Sequence, residues 1–168
     1  MVLNLESIKK VYETYLKSKP KDEKAENALI INALIASSYR LKEWRIGNAS
    51  GNSGKFKNDA KNERAEYFLS QNSFAAIEGI LEAHKEIVTK NKFYDFASYA
   101  LDKGAAIQLL SVLDNINFMQ EELKKLPKDD FTKANDLFEY SKKLHNAYYT
   151  SLVEQLSITA KILDADGD

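Results

Sequence analysis

Between positions 105 and 126, Ala105, Leu109, Val112, Ile116, Met119, Leu123 and Leu126 recur at alternating intervals of four and three. That repeat keeps one helix face apolar over about six turns and calls for partner helices along its whole length. The rest of the chain agrees with it. Leu5, Ile8, Tyr12 and Tyr15 mark a first helix over 5–17, with Asn4 as its cap. Pro20 ends that segment, and a second helix over 22–45 begins at the capping residue Asp22, with Glu23 and Glu26 in its first turn. A third helical stretch covers 57–90, with Asn72 and Ser73 as a break in mid-run, and carries Phe74, Ile77, Leu81, His84 and Val88 on one stripe.

The fourth stretch, 93–126, contains the heptad-like seam; Ala106, Leu110 and Leu113 form a second row expected to be buried beside it. Gly104 marks a kink or a close helix crossing there, and Pro127 stops the helix. Asp129 or Asp130 starts a last helix that runs to Leu163. No segment alternates with period two between turn signals, so no strand is expected. The expectation is an all-α chain: an elongated antiparallel bundle of four to five helices, some long and kinked, in a single domain over 1–168. The loop 46–55 is expected to be flexible and solvent-exposed, and the acidic tail 164–168 frayed.

The chemistry that this sequence lacks is informative. It contains no Cys, which removes thiol nucleophiles, disulfides and thiolate-bound metals. The stretch "RIGNASGNSGKFKN" holds three of the six glycines, yet it fails as a phosphate-binding loop. Ala49 stands where such a loop needs its first glycine, and Phe56 where it needs the magnesium-binding hydroxyl. There are two histidines, His84 and His145. Leu81 and Lys142 precede them by three residues, where a carboxylate-bridged metal bundle has Glu. Asp164, Asp166 and Asp168 lack the glycine and glutamate positions of a calcium loop. No nucleophile-elbow motif occurs. No metal, no cofactor and no catalytic residue is therefore expected, and the chain reads as a non-enzyme. No leader peptide or apolar run long enough for a membrane is evident, and the cytoplasm is the expected location.

Association remains. Aromatic residues in excess of what a two-faced bundle needs, Tyr39, Trp44, Tyr94, Tyr99, Tyr148 and Tyr149, are candidates for a protein partner or self-association. The expected function is a protein-binding bundle: an adaptor, inhibitor, chaperone or small subunit of a larger assembly. A second reading is a subunit that binds the DNA or RNA backbone. All three arginines of the chain lie within 25 residues, and Arg40, Arg45, Lys55, Lys57, Lys61 and Arg64 would form its phosphate-binding end. A third reading is a metal-binding bundle using His84 or His145.

Overall fold

The structure is a computed structural model and describes residues 22–160. The first expected helix, 5–17, and the acidic tail lie outside the described residues. Within them the chain is all-α: five helices in an antiparallel bundle, some long and bent, with no strand among the described residues. They are α1 (Glu23–Arg40), α2 (Ser73–Val88), α3 (Phe96–Asp102), α4 (Ala106–Lys125) and α5 (Asn135–Asn146). Two of them continue as wide π-helical turns: α1 through Leu41–Gly47 and on to Asn48–Ser50, α5 through Ala147–Leu152 and on to Val153–Gln155.

Side-chain links between helices set their directions. Gln120 donates to Glu78 and Lys85 to Asn117, so α2 and α4 run in opposite senses. Gln108 with Gln155, and the stacked rings of Phe118 and Tyr140, do the same for α4 and α5. Ser38 with His145 and Asn52 with Asn135 make α1 and α5 antiparallel. The seam of α4 is buried as its spacing requires, from Ala105 through Leu123, and packs on α2 and α5. Against it lie Ile31, Leu34 and Ile35 of α1, Ile77 and Leu81 of α2, and Leu137 and Leu144 of α5. Each such side chain contributes roughly 1.5–3 kcal/mol when withdrawn from water.

The second row on α4 departs from expectation: Leu110 is 59% exposed, Ala106 is exposed and Leu113 only half-buried. The seam already occupies the single face that α2 and α5 cover, and the row lies outside it. The helix expected over 57–90 is helical only from Ser73. Residues 54–70 form three short 3₁₀ turns instead, in a stretch where Asn, Asp and Ser side chains compete for the backbone. The last helix begins at Asn135 and ends at Gln155 rather than Leu163, and the left-handed Ser157 (φ 50°) turns the chain away.

The expected exposed loop at 46–55 is largely interior. Ile46, Gly47, Ala49, Ser50, Gly51 and Ser53 are buried, because the following segment folds back upon them. Asn58 N–H bonds the Gly51 carbonyl and Lys61 N–H the Ala49 carbonyl, each at 2.8 Å. Its glycines serve close approach. A Cβ on Gly47 would lie 2.8 Å from the Lys42 carbonyl oxygen and 3.1 Å from the Phe138 ring. Gly51 has φ 73°, and a Cβ there would meet the Ala60 nitrogen at 2.6 Å.

A second loop completes this end of the bundle. The two carboxylate oxygens of Asp129 accept from the first amides of α2, Ser73 N at 3.0 Å and Phe74 N at 2.7 Å. It is a helix cap supplied from 55 residues away in sequence, where Asn72, at the cap position itself, makes no side-chain cap hydrogen bond. Asn62 accepts from the Phe131 amide at 2.8 Å and donates to Asp130 at 3.3 Å, tying the two loops together. Asp129→Ala should lower stability by about 1–2 kcal/mol, measured by urea unfolding, while Asp129→Asn should lose less.

Candidate functional site

The polar residues of the interior gather where α1, α2 and α5 meet. Ser37 and Ser38 are neighbours on α1, and each meets a different histidine. The Nε2 atom of His84, on α2, lies 2.9 Å from the Ser37 hydroxyl, and its Nδ1 lies 3.2 Å from the Tyr148 hydroxyl. His145, at the end of α5, has its Nδ1 atom 3.0 Å from the Ser38 hydroxyl. Ser38 also lies 3.0 Å from the Ile35 carbonyl as a donor, and a His145 tautomer with its proton on Nδ1 and its lone pair on Nε2 satisfies both contacts.

The surroundings differ for the two rings. His84 is 3% exposed, and burial pushes its pKa down to about 4, so it is neutral and linked at both nitrogens. Burial also raises the Tyr148 hydroxyl well above its ordinary value. His145 is half-buried; its pKa is lowered by burial and next by Lys42, against the opposing effects of Glu43 and of the Ile35 carbonyl. Its ring contacts two aromatics, Tyr39 in an edge-type contact with centroids 5.7 Å apart and Tyr149 stacked nearly parallel at 5.7 Å. Lys42 stands over the Tyr39 ring at 5.2 Å and pairs with Glu43 at 3.0 Å.

Each wide turn flanks this cluster. The turn 41–47 packs on α5, and the turn 147–152 packs on α1. Such turns carry one residue more than an α-helical turn and occur disproportionately at functional positions. On the outside of the first, Trp44 is half exposed, with the Arg40 guanidinium 5.6 Å from its ring. The result is an aromatic and cationic face over a buried line of hydroxyl and imidazole groups.

Of the six aromatic candidates read from the sequence, the structure brings Tyr39 and Tyr149 together around His145, with Trp44 on the adjoining turn. Tyr99 and Tyr148 are 2% and 0% exposed. They are core residues rather than partner contacts, because the spacing that puts an aromatic on an apolar stripe also buries it. Tyr94 is exposed but lies apart, donating to Asp102 at 3.1 Å. Sequence reasoning left Ser37 and Ser38 unnoticed; their contact with the two histidines spans 47 and 107 residues, and no local pattern marks it.

The basic end is more neutral than its composition suggests. Arg45 pairs with Glu66, Arg64 with the carboxylate and carbonyl of Asp59, and Lys61 with Asp59 at 3.4 Å. The Arg64 guanidinium beside it holds the Asp59 carboxyl below its usual range. Arg64 also lies 4.0 Å over the Phe56 ring, with Lys55 at 5.3 Å from the same ring, and Lys57 is exposed. Among the described residues no three acidic or histidine side chains converge as a metal would require, and no helix is long and apolar enough to cross a membrane.

Over residues 1–159 the chain matches the family model described as Imelysin, Peptidase M75. It belongs to the imelysin family. No curated protein and no solved structure matches it. Membership overturns the expectation of a non-enzyme, since the family is peptidase-related. That expectation rested on familiar nucleophile and metal motifs, and those recognise only the site geometries that leave a local sequence signature.

In this imelysin-family bundle the buried imidazole also sets a pH dependence. The folded state keeps His84 neutral, with a pKa of about 4 against 6.5 for the free side chain. Its contribution is fully present above pH 6.5 and is lost as the pH falls through 4. Unfolding free energy should drop by roughly 3 kcal/mol over that window from this group. Chemical denaturation at a series of pH values, compared with His84→Gln, should find a shallower decline in the variant.

Proposed function

We propose that the bundle acts on polypeptide, engaging it across the face formed by Tyr39, Lys42, Trp44, His145 and Tyr149. The observation that carries the reading is the contact of His145 with both Tyr39 and Tyr149 beside a wide helical turn. Tyrosines held at this spacing offer flat apolar area with a polar tip, at small cost in side-chain freedom. With the proton on Nδ1, the Nε2 lone pair of His145 supplies an acceptor for a peptide N–H, and the Arg40 guanidinium beside Trp44 suits backbone carbonyls or acidic side chains. The peptidase name of the family supports polypeptide as the ligand class. The internal pairing of Arg45, Lys61 and Arg64 favours it over a phosphate backbone, which would have to displace Glu66 and Asp59.

Trp44 is the single tryptophan, so binding has a built-in reporter. Titration with a reduced, carboxymethylated protein free of tryptophan should change its emission saturably. Replacing both Tyr39 and Tyr149 with Ala should weaken that binding at least about tenfold, the loss of two aromatic contacts. An unchanged affinity, or no saturable signal in the native chain, would sink the assignment. Mass spectra of the same mixtures over time read separately whether the bound chain is cut.

A further inference from the structure

Helix α1 is apolar on more sides than the bundle covers. Ile31, Leu34 and Ile35 are buried in the core, yet from Asn27 to Tyr39 no side chain is charged, so the solvent side of the helix lacks charge for more than three turns. That side carries Glu26, Leu29, Ala33 and Ala36 in one row. Leu29 is 58% exposed, Glu26 and Ala33 are exposed and Ala36 is half-buried. A helix at the surface of a bundle turns charge to water; one whose outer row is Leu and Ala calls for a covering element.

The segment ahead of the described residues matches that row. Leu5, Ile8, Tyr12 and Tyr15 follow one another at intervals of three, four and three, and Ala36, Ala33, Leu29 and Glu26, counted back along α1, do the same. Folded back on α1, the two rows pair in full. Leu5 meets Ala36, Ile8 meets Ala33 and Tyr12 meets Leu29, while Tyr15 meets Glu26, a carboxylate able to accept from its hydroxyl. The point of return falls between Pro20 and Lys21, inside a connection over 18–21 that is of ordinary length for antiparallel helices. Reach agrees as well, since a helix over 5–17 covers about 18 Å and the row from Glu26 to Ala36 about 15 Å. We propose that residues 5–17 lie along the outer side of α1 as the first arm of an antiparallel helical hairpin. A connection this short holds the segment near the face at an effective concentration in roughly the millimolar range, which favours it over a free partner or a second copy. The family match begins at residue 1 and so counts the segment within the same domain.

The chain has no Cys, so introduced pairs report without background. In dilute solution under mild oxidation, Ile8→Cys with Ala33→Cys should close an intramolecular disulfide at least about tenfold faster than Lys10→Cys with Ala33→Cys, since position 10 lies on the other side of the segment. Ala33 is on the surface, and unchanged circular dichroism checks that each variant folds. In the cysteine-free chain, hydrogen exchange at the amides of 5–17 should speed up at least about tenfold on Leu29→Asp, with exchange in α4 unchanged. Equal closing rates for the two pairs overturn the proposal, as does exchange indifferent to Leu29→Asp. A disulfide that forms only between molecules overturns it too, by giving the face to a second copy.

Discussion

A histidine withdrawn from water must find a partner for each ring nitrogen, and at His84 the two partners stand on two other helices. Ser37 fixes the height of α2 against α1, and Tyr148 fixes it against the continuation of α5. Apolar packing tolerates a slide of one helix along another far better than this pair of bonds does, since a slide leaves a buried donor or acceptor unmatched. The neighbouring bond between Ser38 and His145 repeats the requirement one residue along α1. Three helices thus share one register, and the aromatic face outside depends on it, because His145 positions Tyr39 and Tyr149.

The end of the bundle with the two interlocked loops is organised by a different constraint. Helix α2 starts without a local cap, and its first amides are satisfied only when Asp129 arrives from the turn between α4 and α5. Asp129 adopts φ 51° to do so, a conformation that costs a non-glycine residue some backbone strain. The hydrogen bonds and the charge at the helix start offset that strain. Asn62 then links the same turn to the segment folded over Gly51. Secondary structure here is a consequence of tertiary contacts.

Those two constraints explain what the sequence disclosed. The α4 seam, the Asp22 cap of α1 and the stripe containing His84 were legible because helical periodicity and capping act within one or two turns. The stretch 57–72 departs from the helix expected of it because its fold is dictated by partners elsewhere, among them Asp130 and the Phe131 amide. The glycines near position 50 announced an irregular backbone correctly, yet composition cannot tell a glycine needed for close packing from one needed for an open loop. At the site, the aromatics and both histidines were visible by type; that Ser37 and Ser38 join them depends on helix rotation about α1, which one sequence leaves open.

The wide turns at 41–47 and 147–152 bear on how the chain could have changed through insertion and deletion. A π turn is what remains when an α-helix accepts one extra residue without breaking. Removing one residue from Leu41–Gly47 would close the turn to an ordinary α-helical one, and removing a second would rotate everything after it by about 100° around the helix axis. Gly47 would leave its seat against Phe138, and the fold-back over Gly51 would lose its anchor. The spacing between Ser38 and Gly47 is therefore under a stricter constraint than the identities of most residues between them: substitutions there alter a surface, whereas a deletion larger than the one residue that the turn absorbs shifts the phase of the helix.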